Sequence, residues 1–582
     1  MFDMKKQWRL KTGSVSNIFE GIVSELTTTI LINRGVKDIE TITTIVQPDY
    51  DEHLHDPFLL TDMAKAVKRI IEAINNQQLI MIFGDYDADG VPAAAILAEF
   101  LKKIGYNYYD VYIPHRHNEQ YGLSLKLIEK FEKQKINLII TVDCGISNMA
   151  EITRANELGI DVIVTDHHLP PAKLPPALAI INPKRLDDDY PYKFLAGAGV
   201  AFKLVQGLVK SGHFMMIEPG WEKNLLDLVA IATVADMVPI TGENKTLVKF
   251  GLIILKMTKR IGLLELFRVL KLKQKFLTED DIGFMIGPRL NSAGRMSHAS
   301  QAFLLLVTDK EEEARTIVAH LEEKNKERRS LVTSILLTAK ELLDDKKIPP
   351  VVVIGNPDWS LGVLGLAAAR LAESLSRSVF VWAQNGNGEI KGSCRSDGKV
   401  NVVELMAVAN QDGFFSDYGG HAFAGGFSLT SDNIKDLSIK LNEAYKKAPK
   451  TEVIEEEDVD CQLSLDDITW PLQKELDKLG PYGLDFPKPV FWLSNLIILT
   501  AKSFGKEGGH VELKFTKTSG EIVTAIAFFA CEGQLNFDQG HIWPGVNLTP
   551  GRQLDILVNI EKSTFKYRPE LRLRIVDLRQ SI

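Results

Sequence analysis

The chain has 582 residues, 45% hydrophobic and 25% charged, a composition that excludes disordered and fibrous classes. Its formal net charge of −8 argues against a general coat for nucleic acid, although a local basic channel fits within an acidic total. The cysteines Cys144, Cys394, Cys461 and Cys531 lie far apart with no CxxC pair, which speaks against a zinc site or a disulfide framework and for a reducing cytoplasm. One core cannot serve such a length, so about three or four domains are expected. No apolar run approaches the roughly 20 residues that span a bilayer, so no membrane association is expected. Residues 1–10 are basic and polar, without the apolar core of a signal peptide behind them.

Residues 1–75 read as mostly helical and carry no recognisable chemistry. The apolar run 79–83, bounded by glycine, predicts a buried parallel strand, and the Ala-rich stretch from Pro92 to Phe100 predicts a helix with proline in its first turn. Between them stands Gly84-Asp85-Tyr86-Asp87-Ala88-Asp89-Gly90, with a carboxylate at every second position. Further strands are predicted over 136–142, 161–165 and 177–182, and a helix over 225–234. The first two of these strands run into Asp143 and into Asp166-His167-His168, and the helix runs into Asp236. Residues 310–345 predict one long helix with an apolar stripe of Leu331, Ile335 and Leu342, stopped by Pro349 and Pro350. A second α/β unit follows, with a strand over 351–354, a helix over 361–377 and a strand over 379–382. Residues 446–460 read as an acidic, solvated connector, and alternating segments from about 487 onward suggest a small β-barrel.

Polar residues therefore recur where strands finish, the edge at which doubly wound folds bind ligands. Asp85, Asp87, Asp89, Asp143 and Asp236 would join His167 and His168 there. Carboxylates so close raise one another's pKa unless a cation neutralises them, and oxygen-rich donors suit Mg²⁺ or Mn²⁺. So many anionic ligands exceed the needs of one ion. Two divalent ions sharing a bridging carboxylate would use them, and such a pair clamps both the attacking and leaving oxygens of a phosphoryl group.

Asp-Tyr-Asp-Ala-Asp-Gly, Val-Asp-Cys-Gly, Thr-Asp-His-His and Val-Ala-Asp-Met-Val-Pro resemble the four motifs of the DHH phosphoesterases. Within that superfamily the chain resembles the RecJ family of single-strand-specific 5′→3′ exonucleases. Further stretches of the same kind are Tyr121-Gly122-Leu123-Ser124, the glycine-rich run from Gly197, Gly287-Pro288-Arg289-Leu290-Asn291-Ser292-Ala293-Gly294-Arg295, Gly420-His421 and Gly480-Pro481-Tyr482-Gly483.

The resemblance implies two α/β lobes, a parallel-sheet DHH domain and a smaller DHHA1 domain, joined by a long helix and followed by an OB-type β-barrel. The expected limits are an N-terminal helical segment at 1–75, DHH at 76–305, the connecting helix at 306–346, DHHA1 at 347–450, an acidic linker and lead-in at 451–486, and the barrel at 487–582. Asp87 and Asp143, with Asp85 in the same cluster, would help hold one ion, while Asp89, His167 and Asp236 would hold the other and Asp143 would bridge. Asp87, Asp143 and His168 are the catalytic candidates, with His168 facing the scissile phosphate and no protein nucleophile required. Arg289, Asn291, Arg295, Arg395, Gly419, Gly420 and His421 are the substrate-binding candidates.

Phe83, Pro92, Ala93, Ser360 and Phe486 depart from the family pattern, and none of them removes a proposed carboxylate ligand. The implied activity is release of 5′-mononucleotides from single-stranded DNA in repair and recombination, by a cytoplasmic monomer cooperating with a helicase and a single-strand-binding protein. The alternatives are a DHH phosphoesterase acting on short RNA or cyclic dinucleotides, and a non-catalytic replication scaffold.

Overall fold

The computed structural model describes residues 7–11, 21–116, 119, 121–343, 348–386, 388–451, 456–505, 509–528, 530, 546–563 and 569–581. Cys531 lies outside them. The first lobe is built on a five-stranded parallel sheet in the order Tyr109–Tyr112, Ile80–Gly84, Leu138–Val142, Asp161–Thr165, Ala179–Ile181. The two-residue period of a strand sorts its apolar residues between two layers. Ile80 and Ile82 face a core that includes helices Met63–Asn75, Gly90–Lys103 and Gly197–Lys210. Met81 and Phe83 face the helices Leu125–Lys133 and Met149–Glu157. The sheet is thus covered on both sides, as parallel sheets require.

The long helix Glu311–Leu342 spans both lobes. Its first half places Ile317, Val318 and Leu321 in the core of the first lobe. Its second half places Val332, Ile335 and Ala339 against the helix Leu364–Leu375 and the strands Val351–Gly355 and Ser378–Gln384. The expected stripe is shorter than read, because Leu342 at the helix end is 64% exposed. The second lobe's five-stranded sheet runs Asp417–His421, Ala424–Leu429, Ile390–Arg395, Ser378–Gln384, Val351–Gly355. A seven-stranded C-terminal sheet follows, in the order Cys461–Leu463, Phe491–Ile497, Gln553–Ser563, Glu570–Gln580, Ile522–Ala527, His510–Thr516, Thr500–Phe504.

Two expectations need correction. The N-terminal region is not one helical unit: Gln7–Leu10 is a strand, and the helices Glu25–Asn33 and Ile39–Val46 bury Ile30, Leu31, Ile42 and Ile45 with residues of the C-terminal sheet. The acidic connector is not wholly solvated either. Glu456–Val459 pairs in parallel with Gln7–Leu10, and Arg9 and Lys11 neutralise Glu456 and Asp458. Trp8 Nε1 also donates to Asp577 Oδ2 of strand Glu570–Gln580 at 2.7 Å.

The helix Gly197–Lys210, whose N-terminus enters the site described below, is held by a buried ion pair. Lys203 Nζ lies 2.5 Å from Glu243 Oε1 and donates to the His55 carbonyl at 2.8 Å, and Glu243 also accepts from Tyr190 Oη. Lys203→Met leaves the Glu243 charge buried with less compensation and is expected to cost about 3–5 kcal/mol. Urea unfolding of the variant beside the parent protein measures this, and an unchanged midpoint would rule it out.

Candidate metal centre and nucleic-acid interface

The strand Ile80–Gly84 ends in a turn whose backbone its own carboxylate organises. Asp87 Oδ1 accepts from the amides of Asp89 at 2.8 Å and Gly90 at 3.1 Å. From outside the turn, Asn291 Oδ1 accepts from Ala88 N at 3.0 Å. Helix Gly287–Met296, which carries Asn291, approaches so closely that a Cβ at Gly294 would lie 2.3 Å from the Tyr86 carbonyl. Its glycine is thus a packing requirement.

Asp143 follows the strand Leu138–Val142 in left-handed backbone conformation, φ 60°, a region where Asp is among the tolerated residues. A Cβ at Gly197 would lie 2.5 Å from Asp143 Oδ1, so only glycine lets the helix N-terminus enter here. That terminus holds Asp89: Gly197 N donates to Oδ2 at 2.6 Å and Ala198 N to Oδ1 at 2.7 Å. Orphan amides and the helix dipole both favour a carboxylate in this position.

The predicted donors converge. One oxygen each from Asp85, Asp87 and Asp143 forms a group within 4.8 Å, as do donor atoms of Asp89, His167 and Asp236, and of Asp143, His167 and His168. His167 Nε2 stands 3.1 Å from Asp143 Oδ1 and 3.7 Å from both Asp89 Oδ2 and Asp236 Oδ2. Among the described residues, buried Asp85 Oδ1 and Asp143 Oδ1 have no hydrogen-bond partner. Burial, followed by the Asp87 charge, pushes Asp89 up to about 7. Burial, followed by Asp89 and Asp87, pushes Asp236 up to about 8. Asp85 and Asp143 are likewise driven well above the carboxylate range by burial and neighbouring acids. Burial and the charge of His168 lower His167 to about 3, leaving the neutral imidazole that a metal ligand requires. Orphaned oxygens, repelling carboxylates and a neutral imidazole fit hard divalent cations.

His168 differs from its neighbour. Against the burial that would lower it, a hydrogen bond to Asp166 and that residue's charge raise it to about 9. Nδ1 stands 2.8 Å from Asp166 Oδ1. Asp166, given no role from the sequence, is buried and also accepts from the amides of Ile146, His167 and His168. A buried acid between a strand and two histidines was the signal available for it.

The basic candidates divide. Arg295 donates to the Gly362 carbonyl of the second lobe at 3.3 Å. Burial lowers its pKa to about 10, and the charges of Arg116, Arg328 and Arg395 act in the same direction against Asp87. Cations from both lobes therefore gather beside the acidic turn. Arg116, not singled out from the sequence, lies over the Tyr86 ring at 4.7 Å. Arg289 is buried, with Nε 2.6 Å from Glu322 of the long helix. These bonds tie Arg289 to the long helix and Asn291 to the acidic turn. Gly419, Gly420 and His421 lie on the exposed edge strand of the second lobe. Cys144 is buried beneath the site, with Sγ facing the Phe83 carbonyl. A second group of rings and cations runs from the first lobe onto the barrel: Phe276 beside Lys562, Phe284 (65% exposed) beside Arg574, and Phe528 beside Arg572 and Arg574.

Carboxylates and imidazoles gathered at the edge of a doubly wound sheet, with a second α/β lobe carrying arginines to them, define a metal-dependent phosphoesterase of the DHH class. Three families match in order along the chain: the DHH family, N-terminal domain, over residues 79–233, the DHHA1 domain over 348–447 and the RecJ OB domain over 459–577. The single-stranded-DNA-specific exonuclease RecJ of Bacillus subtilis is 32% identical, with the match covering 99% of this chain and 71% of that protein. The Escherichia coli RecJ is 35% identical over 74% of this chain and 78% of its own length. The crystal structure of Thermus thermophilus RecJ in complex with Mn²⁺ superposes with a TM-score of 0.80 at 26% identity, covering 99% of this chain and 80% of that one. The chain belongs to the RecJ family. Among the described residues no helix is long and apolar enough to cross a membrane.

The raised carboxyls make a prediction about pH. A carboxyl with a folded pKa above its unfolded value stabilises the fold when protonated, and that contribution is lost as pH rises from about 4 towards the folded values near 7 and 8. Bound Mn²⁺ offsets the loss and competes with fewer protons at higher pH. The thermal midpoint is therefore expected to rise more on adding Mn²⁺ at pH 8 than at pH 6. Asp236→Asn should shrink that increment and leave the metal-free midpoint unchanged or higher. Fluorimetric melting reads both, and equal increments at the two pH values would count against the reading.

Proposed function

We propose that this protein is a single-stranded-DNA-specific 5′→3′ exonuclease that hydrolyses phosphodiester bonds and releases 5′-mononucleotides, acting in DNA repair and recombination. The observation that carries the reading is the sharing of donors between groups: Asp143 groups with Asp85 and Asp87 and also with His167 and His168, and His167 groups in turn with Asp89 and Asp236. In our reading these residues hold two divalent ions, Mn²⁺ or Mg²⁺. When bound, such a pair would supply a lowered pKa for a water nucleophile and stabilisation of the developing negative charge. His168, whose Nδ1 stands 2.8 Å from Asp166 Oδ1, faces the phosphate and stabilises its developing charge. Arg295 and Arg395 grip substrate phosphates through forked guanidinium donors. Gly419, Gly420 and His421 receive the terminal nucleotide, while Arg289 and Asn291 hold the helix that shapes the site.

An OB domain and the adjoining ring-and-cation surface support single-strand binding, since stacking and phosphate contact are how such barrels hold a strand. We place the strand along Phe528 and Phe284 towards the cleft between the lobes. The protein in this proposal is a cytoplasmic monomer. Strand-opening by a helicase and presentation by a single-strand-binding protein complete its working context. The domain limits we propose are those drawn from the sequence, with residues 25–46 reassigned to the barrel because their apolar residues share its core.

Digestion of single-stranded DNA labelled at either end, with Mn²⁺, tests the activity. Labelled mononucleotide is expected at once from the 5′ end only. His168→Ala should lower kcat about 10²–10³-fold, with Mn²⁺ still bound. Asp166→Asn should also lower kcat, and should shift the alkaline limb of the pH profile downward as His168 loses its partner. Inert long strands with rapid turnover of short RNA would move the assignment to an oligonucleotide phosphoesterase.

The strand path makes a separate prediction. Phe284→Ala combined with Arg574→Ala should raise KM for long strands about tenfold, in line with stacking worth roughly 1–3 kcal/mol per base, and leave kcat on short oligonucleotides unchanged. Steady-state kinetics across a length series decides it, and length-independent KM values would exclude the path.

A further inference from the structure

Asp236 is the least buried member of its donor group. It caps the C-terminal end of helix Leu226–Ala235, where the helix dipole opposes a carboxylate. Among the described residues, no amide pair like that of Gly197 and Ala198 at Asp89 holds its side chain. Its amide donates to the Ala232 carbonyl of that helix at 2.9 Å, and the loop that follows begins with Met237 at φ 59°. Within the first lobe, the Pro239 carbonyl accepts from Tyr192 Oη at 3.2 Å and Asn244 Nδ2 at 3.0 Å.

The remaining support comes from the lead-in to the barrel. Ile240 N donates to the Leu484 carbonyl at 2.9 Å. A Cβ at Gly483 would lie 2.4 Å from Ile240 Cγ1, so the two segments touch without room for a side chain. Two lysines of helix Gly242–Leu255 reach across to clasp the same segment: Lys245 Nζ donates to the Pro481 carbonyl at 2.9 Å, and Lys249 Nζ to that of Gly480 at 3.0 Å. Lys245 is 1% exposed, and its Nζ lies 3.7 Å from the centre of the Phe486 ring. Arg34 lies 4.9 Å from the same ring and pairs with Asp460. Burying a lysine is costly, and among the described residues the hydrogen bond this one makes is to the Pro481 carbonyl of the lead-in.

We infer that residues 480–486 are a positioning element for Asp236, so that seating the barrel's lead-in on the first lobe presets one of the two cation sites. This rests on the metal reading of the donor cluster. Indirect supports of ligands of this kind are worth about 10–100-fold in metal affinity. The lead-in would thereby couple the strand-binding barrel to the Asp89, His167 and Asp236 group, leaving the Asp85, Asp87 and Asp143 group to its own strand ends.

The test is Mn²⁺ titration of the full-length protein, followed by calorimetry and by the paramagnetic signal of free Mn²⁺, for the parent, Lys245→Met and Gly483→Val. The expected result is two binding events in the parent. In both variants one event should weaken about tenfold or more and the other stay within about twofold. Nuclease kcat in the variants should recover as Mn²⁺ is raised, which a merely loosened barrel would not give. Lys249→Met, which removes a clasp further from the loop, should show a smaller effect in the same direction and guards against misfolding of the other two. Two unchanged events in all variants, or equal weakening of both events, would overturn the inference. Absence of two events in the parent would instead overturn the metal reading beneath it.

Discussion

The structure depends on one electrostatic constraint: carboxylates that would repel one another are buried together at the edge of a sheet. Burial alone raises their pKa values, and each neighbour raises them further. The scaffold answers only part of this. Helix amides hold both oxygens of Asp89, and backbone amides of the turn hold one oxygen of Asp87. Asp85 Oδ1 and Asp143 Oδ1 accept no hydrogen bond among the described residues. Compensation by the protein is thus incomplete in the one place where incompleteness is chemically useful, because a cation completes it. The donors come from separate strand ends and a helix end, so the site exists only when the whole doubly wound lobe is folded.

The same constraint explains how an acidic protein handles a polyanion. With a net charge of −8, attraction cannot be global. It is local and supplied from both lobes, with Arg295 on a helix of the first and Arg395 on a strand of the second. The long helix Glu311–Leu342 sets their separation by having its two halves embedded in different cores. Bringing these guanidinium groups together is itself unfavourable, since burial and mutual repulsion lower the pKa of Arg295. Acids needing cations and cations needing an anion stand side by side, a polarity suited to a phosphate lying between them.

How much of this could be read in advance follows from the range of each interaction. Buried parallel strands announce themselves as apolar runs, and Asp85, Asp143 and His167 follow such runs directly, so both the sheet and its edge were legible. The strand Tyr109–Tyr112 was not, because an edge strand with half-exposed side chains has no apolar run. Glu456–Val459 read as a solvated linker because its partner, Gln7–Leu10, lies some 450 residues away and brings the neutralising Arg9. Asn291 and Arg289 were legible as important polar positions but not in their bonds, which go to Ala88 and Glu322. The glycine-rich run from Gly197 was visible as a motif. Its purpose, admitting a helix N-terminus against Asp143 and Asp89, depends on contacts that no local pattern encodes.

The two donor groups also differ in how they are built. Asp85, Asp87 and Asp143 sit on turns that end adjacent parallel strands, so the ladder between Ile80–Gly84 and Leu138–Val142 fixes their spacing directly. Asp236 reaches the cluster from the unfavourable end of a helix and is followed by a loop that contacts both the first lobe and the barrel's lead-in. A group fixed by a sheet tolerates little change without loss of the lobe, whereas a group fixed by a shared loop can respond to what the neighbouring domain does. Within one cluster, the asymmetry of support separates a rigid half, set by the sheet, from a half that reaches it from a helix end.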